Sequence, residues 1–174
     1  MAGARGWEQT YRLSTNIRVA KYTALIQDPT DTNQTNWFIS QPPASTPWLS
    51  PVAGVTILNF FEPNFFAQED TNPATITGVA PQSPYVLGGT GVQDNGPFIT
   101  VQYAGIARCY ASSASAITSG SLVVIGDQYG RVQTPANLGV TGGTKVFPVG
   151  IAIGSSSALN TIIWVNVSLN PVPA

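Results

Sequence analysis

The hydrophobic and polar pattern of this chain is organised around residues 98 to 169. Two stretches there echo each other, Val101-Gln-Tyr-Ala-Gly-Ile-Ala107 and Phe147-Pro-Val-Gly-Ile-Ala152, each a short β-branched and aromatic run interrupted by glycine. Between them, Thr118-Ser-Gly120 is a turn signal leading into an apolar strand, and Gly126-Asp-Gln-Tyr-Gly130 is a second turn leading out of it. That order is the grammar of a β-hairpin. Thr161-Ile-Ile-Trp-Val-Asn-Val-Ser-Leu169 is too rich in β-branched residues to prefer a helix and closes at Asn170-Pro171, so it is read as the final strand. In Ile106-Ala-Arg-Cys-Tyr110, alternation places Ile106, Arg108 and Tyr110 on one face and Ala107 and Cys109 on the other.

The earlier part of the chain is less regular. Residues 1 to 15 carry no sustained period, with Trp7, Tyr11 and Leu13 as isolated apolar points. They are read as an extended N-terminal arm, able to span roughly 50 Å, with Arg5, Trp7, Tyr11 and Arg12 as its contacts to a partner. Asn16-Ile-Arg-Val-Ala-Lys-Tyr-Thr-Ala-Leu-Ile26 alternates as a strand, and Asp28-Pro-Thr-Asp-Thr-Asn33 ends it as a loop. Residues 36 to 97 form a proline-rich irregular insertion, because Pro42, Pro43, Pro47, Pro51, Pro63, Pro73, Pro81 and Pro84 forbid helices of normal length and confine pairing to short or edge strands. Within it, Val52-Ala-Gly-Val-Thr-Ile-Leu-Asn-Phe-Phe61 is the best strand, apolar enough for burial on both faces. Phe60, Phe61, Phe65 and Phe66 form a dense aromatic cluster, read either as a satellite core or as an interface patch. Gly88-Gly-Thr-Gly91 lacks the Lys-Ser/Thr of a phosphate loop, and Gly139-Val-Thr-Gly-Gly143 reads as a hairpin tip. The resulting fold class is all-β: a small C-terminal barrel or curled sandwich over residues 98 to 170, of about six to eight strands, within a single domain from residue 16 onward.

Composition narrows the functions available. Only 9% of the 174 residues are charged while 43% are hydrophobic, so the polar surface must be made from Ser, Thr, Asn, Gln and backbone, a surface suited to protein contact. A formal net charge of −1 leaves no basic face for nucleic acid. No apolar run is long enough for a membrane span, and the first residues lack the apolar core of a signal peptide, which points to synthesis in a cytosol. Histidine is absent, removing the commonest general base and metal ligand, and the single cysteine, Cys109, has no histidine to activate it. Glu69-Asp70 and the Asp28, Asp31 pair are close acids on loops and are read as solvated, since a glycosidase pair would require one carboxylate in an apolar pocket. The expectation is a protein that is not an enzyme and holds neither cofactor nor metal.

In order, Tyr103-Ala-Gly-Ile-Ala-Arg108, Ala116-Ile-Thr-Ser-Gly-Ser-Leu-Val124, Asp127-Gln-Tyr-Gly-Arg-Val132, Val149-Gly-Ile-Ala152 and Ile162-Ile-Trp-Val165 resemble the small β-rich phage capsid decoration, or cement, proteins. The resemblance covers residues 98 to 170. It implies a homotrimer on the outer surface of a phage head, bridging major capsid protein subunits, with the N-terminal segment as a strap. The alternative is a virion fibre or host-recognition protein, in which Trp37, Trp48 and the phenylalanine cluster would stack on carbohydrate; a carbohydrate-binding sandwich of a cellular enzyme is a third reading.

Overall fold

The protein is described by a computed structural model over residues 7–13, 19–20, 22–29, 38–56, 67–68, 98–169 and 172–173. It is all-β. The strands are β1 (Trp7–Leu13), β2 (Val19–Ala20), β3 (Ala24–Gln27), β4 (Phe38–Ser40), β5 (Val52–Thr56), β6 (Ala67–Gln68), β7 (Phe98–Tyr110), β8 (Leu122–Ile125), β9 (Val132–Gln133), β10 (Lys145–Val146), β11 (Pro148–Ala152), β12 (Ile162–Ser168) and β13 (Val172–Pro173). Single 3-10 turns at Pro47–Leu49 and Ala136–Leu138 are the only helical elements among the described residues, and no helix there is long and apolar enough to cross a membrane.

Nine strands form one curled sheet in the order β1-β4-β3-β5-β7-β12-β11-β8-β9, and β1 pairs with β7 as well as with β4. The five strands β1, β4, β3, β5 and β7 therefore close into a ring. Tyr11, Ile39, Leu25, Ala53 and Val101, one from each strand of that ring, pack together as its core. At the other end, Ala111 just beyond β7 bridges Val132 of β9 in parallel, and the Ser112 amide donates to the Val132 carbonyl at 2.9 Å. This closes a second circuit through β12, β11 and β8. Its larger core gathers Ala107, Cys109, Ile117, Val123, Ile125, Val132, Val149, Ile163, Val165 and Val167, and receives Ala24, Ile26, Val52 and Val55 from the first ring. Strands β3 and β5 thus bury both faces, which accounts for the unbroken burial of Val52–Thr56.

Strand β7 belongs to both circuits, and its two halves have different partners. Residues from Phe98 to Ala104 pair with β1, and residues from Ala104 to Tyr110 pair with β12. At the changeover Gly105 takes φ 88°, a left-handed conformation that side chains rarely adopt. The buried Gln102 amide donates to the carbonyls of Ala104 and Ile106, 3.0 Å each, supplying hydrogen bonds around the bend. The glycine of the second echo has another cause. A methyl on Gly150 would overlap the carbonyl oxygen of Asn166 on the neighbouring β12.

The turn between β8 and β9 behaves as its Asp-x-x-Gly pattern predicts. Asp127 accepts from the amides of Tyr129 (3.0 Å) and Arg131 (3.3 Å), and Gly130 takes φ 75°. The same carboxylate pairs with Arg131 Nε at 2.6 Å, and Arg131 Nη1 donates to Asn160 Oδ1 at 2.7 Å, tying this turn to the one before β12.

Several sequence expectations are corrected. Residues 7–13, expected as an arm reaching a partner, are β1 in this chain's own sheet, because β7 is long enough to leave its first half without β12. The barrel is not confined to residues 98 to 170, since β1, β3, β4 and β5 join it. The strand expected over residues 16 to 26 is interrupted at Tyr22, whose φ of 61° lets its amide reach Thr56 while its carbonyl accepts from Tyr110. The loop at 139–143 is not a hairpin tip: β9 before it pairs with β8, whereas β10 after it pairs with β13, which also follows the strand expected to be last. Residues 57–66 and 69–97, which include most of the proline-rich stretch and the Gly88 loop, lie outside the described residues.

Two substitutions test this architecture. Gly150→Ala should lower stability by about 2–3 kcal/mol through overpacking against backbone, read as a lower urea midpoint with unchanged slope. Asp127→Ala should cost about 1–3 kcal/mol, because it leaves Arg131 Nε and two turn amides without their acceptor.

Candidate functional site

Strand β12 alternates strictly, with Ile163, Val165 and Val167 buried and Ile162, Trp164, Asn166 and Ser168 exposed. Its outward positions are nevertheless apolar at one end. Directly paired residues on adjacent antiparallel strands share a face, so the register assembles a surface. Ile106 of β7, Asn166 of β12, Ile151 of β11 and Leu122 of β8 form one row. Arg108 pairs with Trp164, and the Ile153 amide donates to the Trp164 carbonyl at 2.8 Å, forming the next row. Ile162 lies one step further along β12. Ile106, Ile151, Ile153, Ile162 and Trp164 are each 40 to 47% exposed. Scattered exposed apolar side chains need no explanation, but contiguous ones on adjacent strands mark a contact surface.

Arg108 is held across this face by aromatic rings. Its guanidinium carbon lies 4.9 Å from the centre of Trp164 and 5.6 Å from that of Tyr22, and Tyr22 in turn packs against Tyr110 with centroids 6.0 Å apart. The alternation expected for residues 106 to 110 holds for Ile106 and Arg108 outside and Ala107 and Cys109 inside. Tyr110, paired with the outward Ile162, lies on the same face as Ile106 and Arg108 and is buried there beneath Tyr22.

The residues singled out from sequence are distributed differently. Trp7 is 70% exposed on β1, 6.5 Å from the Tyr103 ring. Tyr11 is half-buried, packs on the core of the first ring, and has its hydroxyl pKa pushed up by burial and by Tyr103. Arg12 supplies backbone pairing to Phe38 and Phe98. Arg5, Trp37 and the cluster Phe60, Phe61, Phe65 and Phe66 lie outside the described residues. Trp48 is half-buried, and its carbonyl accepts from the Phe147 amide.

Strand propensity alone does not reveal the face around Trp164; its signal in the sequence is a missing polar parity. Ile162-Ile-Trp-Val165 is apolar at both parities, and a strand with one solvated face would place polar residues at every second position. Among the described residues no three His, Cys, Asp or Glu side chains come together as a metal site. Cys109 is wholly buried in the larger core, and desolvation pushes its thiol pKa far above the usual value. No known family model and no curated protein sequence matches this chain.

The buried thiol generates a pH prediction. Its pKa is raised on folding, so the unfolded chain loses the proton first as pH rises past the ordinary thiol value of 9.0, and stability falls from there upward. Between pH 8 and 10.5 the natural protein should lose about 1–2 kcal/mol more than Cys109→Ala in urea unfolding, and Cys109 should react with a thiol reagent only when the protein is denatured.

Proposed function

We propose that this chain is a structural virion protein of a phage, binding the outer surface of the head and stabilising the capsid by bridging major capsid protein subunits. The observation that carries this reading is the exposed aliphatic and tryptophan face on three neighbouring strands of a sparsely charged all-β module. The ordered resemblance of residues 98 to 170 to capsid decoration proteins supports it. In this reading the role is mechanical, without catalysis or cofactor, and the protein acts as a homotrimer. Each copy adds a protein interface across a subunit seam, and repetition over a shell multiplies a modest local energy.

The contact is assigned to the sheet face rather than to a strap. Residues 7–13 are committed to hydrogen bonds with β7 and β4, so drawing them onto a neighbour would open the first ring. Deleting them would accordingly test folding more than binding.

Purified heads lacking this protein should bind it saturably in co-sedimentation and withstand a higher temperature before rupture. In sedimentation equilibrium the free protein should have three times the mass of the 18.3 kDa chain. Heads that neither retain the protein at micromolar concentration nor gain thermal resistance would overturn the reading.

A further inference from the structure

We propose that the outer face of β7, β12 and β11 docks a protein partner that brings a carboxylate to Arg108 within an otherwise apolar contact. This deepens the capsid-binding reading and rests on it for the identity of the partner, though not for its chemistry.

The argument begins with the charge. Arg108 stands exposed amid Ile106, Ile153 and Trp164, and among the described residues it has no ion pair, the Asp127 and Arg131 pair being elsewhere. Stacking against Trp164 and Tyr22 orients the guanidinium but leaves its hydrogen-bond donors unused in that contact. If the surrounding side chains were covered by an apolar surface alone, an arginine would be stripped of water without compensation, which is costly. A carboxylate can accept two parallel hydrogen bonds from a guanidinium whose plane is already fixed. Arginine and tryptophan together are also the residue types that dominate interface energetics.

Area and symmetry argue against a second copy of this chain on the same face. The five exposed apolar residues offer on the order of 450 Å², taking roughly 200 Å² for a fully exposed residue, which is about the apolar share, roughly 57%, of the roughly 800 Å² per partner of a standard interface and below that of an obligate one. This fits the apolar centre of a contact with a separate protein and falls short of an obligate dimer. Two copies related by a two-fold axis through the patch would also bring two Arg108 guanidiniums into one apolar interface. Like charges there oppose association.

The test compares Arg108→Glu, Arg108→Lys and Ile151→Ser with two controls away from the face, Lys145→Glu and Leu49→Ser, both exposed in the natural protein. On purified heads, Arg108→Glu should weaken binding at least about 100-fold, and Arg108→Lys and Ile151→Ser about 10-fold each. The controls should stay within about twofold of the natural protein. A second arm needs no heads: immobilised synthetic peptides of alternating valine and leucine, identical except for a central Asp or Lys. The natural protein should retain the Asp peptide at least about fivefold better, and Arg108→Glu should reverse the preference. Heads that bind nothing while the peptide preference holds would sink the capsid reading and leave this inference standing. Heads that bind Arg108→Glu as well as the natural protein, or peptides retained without preference, would overturn the inference. Sedimentation velocity completes it: an oligomer that Ile151→Ser dissociates would place a second copy on this face and overturn the inference, whereas one that persists supports a face left free for another protein.

Discussion

Everything in this structure depends on a single strand being shared by two hydrogen-bonded circuits. Strand β7 runs from Phe98 to Tyr110, longer than any other described strand, and its backbone groups must find partners along its whole length. No single neighbour covers it. β1 serves the first half, β12 the second, and the changeover falls at Ala104, which both reach. Gly105 and the Gln102 amide make the bend between them tolerable, one by accepting a left-handed φ and the other by donating to two carbonyls near the bend. Closing both circuits also covers strand edges that would otherwise be open to pairing with other chains.

A chain with so few charges has to satisfy its buried polar groups with amides and hydroxyls. Gln133 shows how. Fully buried, it donates to Ser113 Oγ at 2.7 Å and to the Ser115 carbonyl at 3.3 Å, while its oxygen accepts from the Thr134 amide at 2.8 Å and from Asn137 Nδ2 at 2.9 Å. That network fixes the loop after β7 to the segment after β9 without an ion pair. Where a charge is used inside, at Asp127 and Arg131, it is paired and locks two turns together. Arg108 is the contrast, since it is stacked but has no ion pair among the described residues, and it lies where aliphatic side chains are left uncovered. Among the described residues, the Gln133 and Asp127–Arg131 groups are partnered inside, whereas the outward face of β7, β12 and β11 keeps apolar side chains and an arginine uncovered.

Much of the residue-level reading rested on local chemistry and survives for that reason. The turn at 126–130, the strands β8, β11 and β12, the double-sided burial of Val52–Thr56 and the inward Cys109 all follow from turn-forming residues, β-branched runs and period-2 alternation within a few residues. Pairing partners did not follow. β1 looked like an arm because Trp7-Glu-Gln-Thr-Tyr11 has weak alternation, and it becomes a strand only because half of β7 is vacant. β10 similarly takes β13, a partner many residues away, rather than the strand before it.

The amino-acid sequence by itself determined that this chain is built of strands, where the glycine and aspartate turns lie, and that histidine chemistry has no place in it. Those properties depend on backbone preferences and side-chain types a few residues apart. Tertiary structure alone decided which strand Trp7–Leu13 would join, why Gly105 and Gly150 serve different ends, and that Ile106, Ile151, Ile153, Ile162, Trp164 and Arg108 would meet on one face. Register between distant strands sets those outcomes, and a one-residue slip would turn the same side chains to the opposite face.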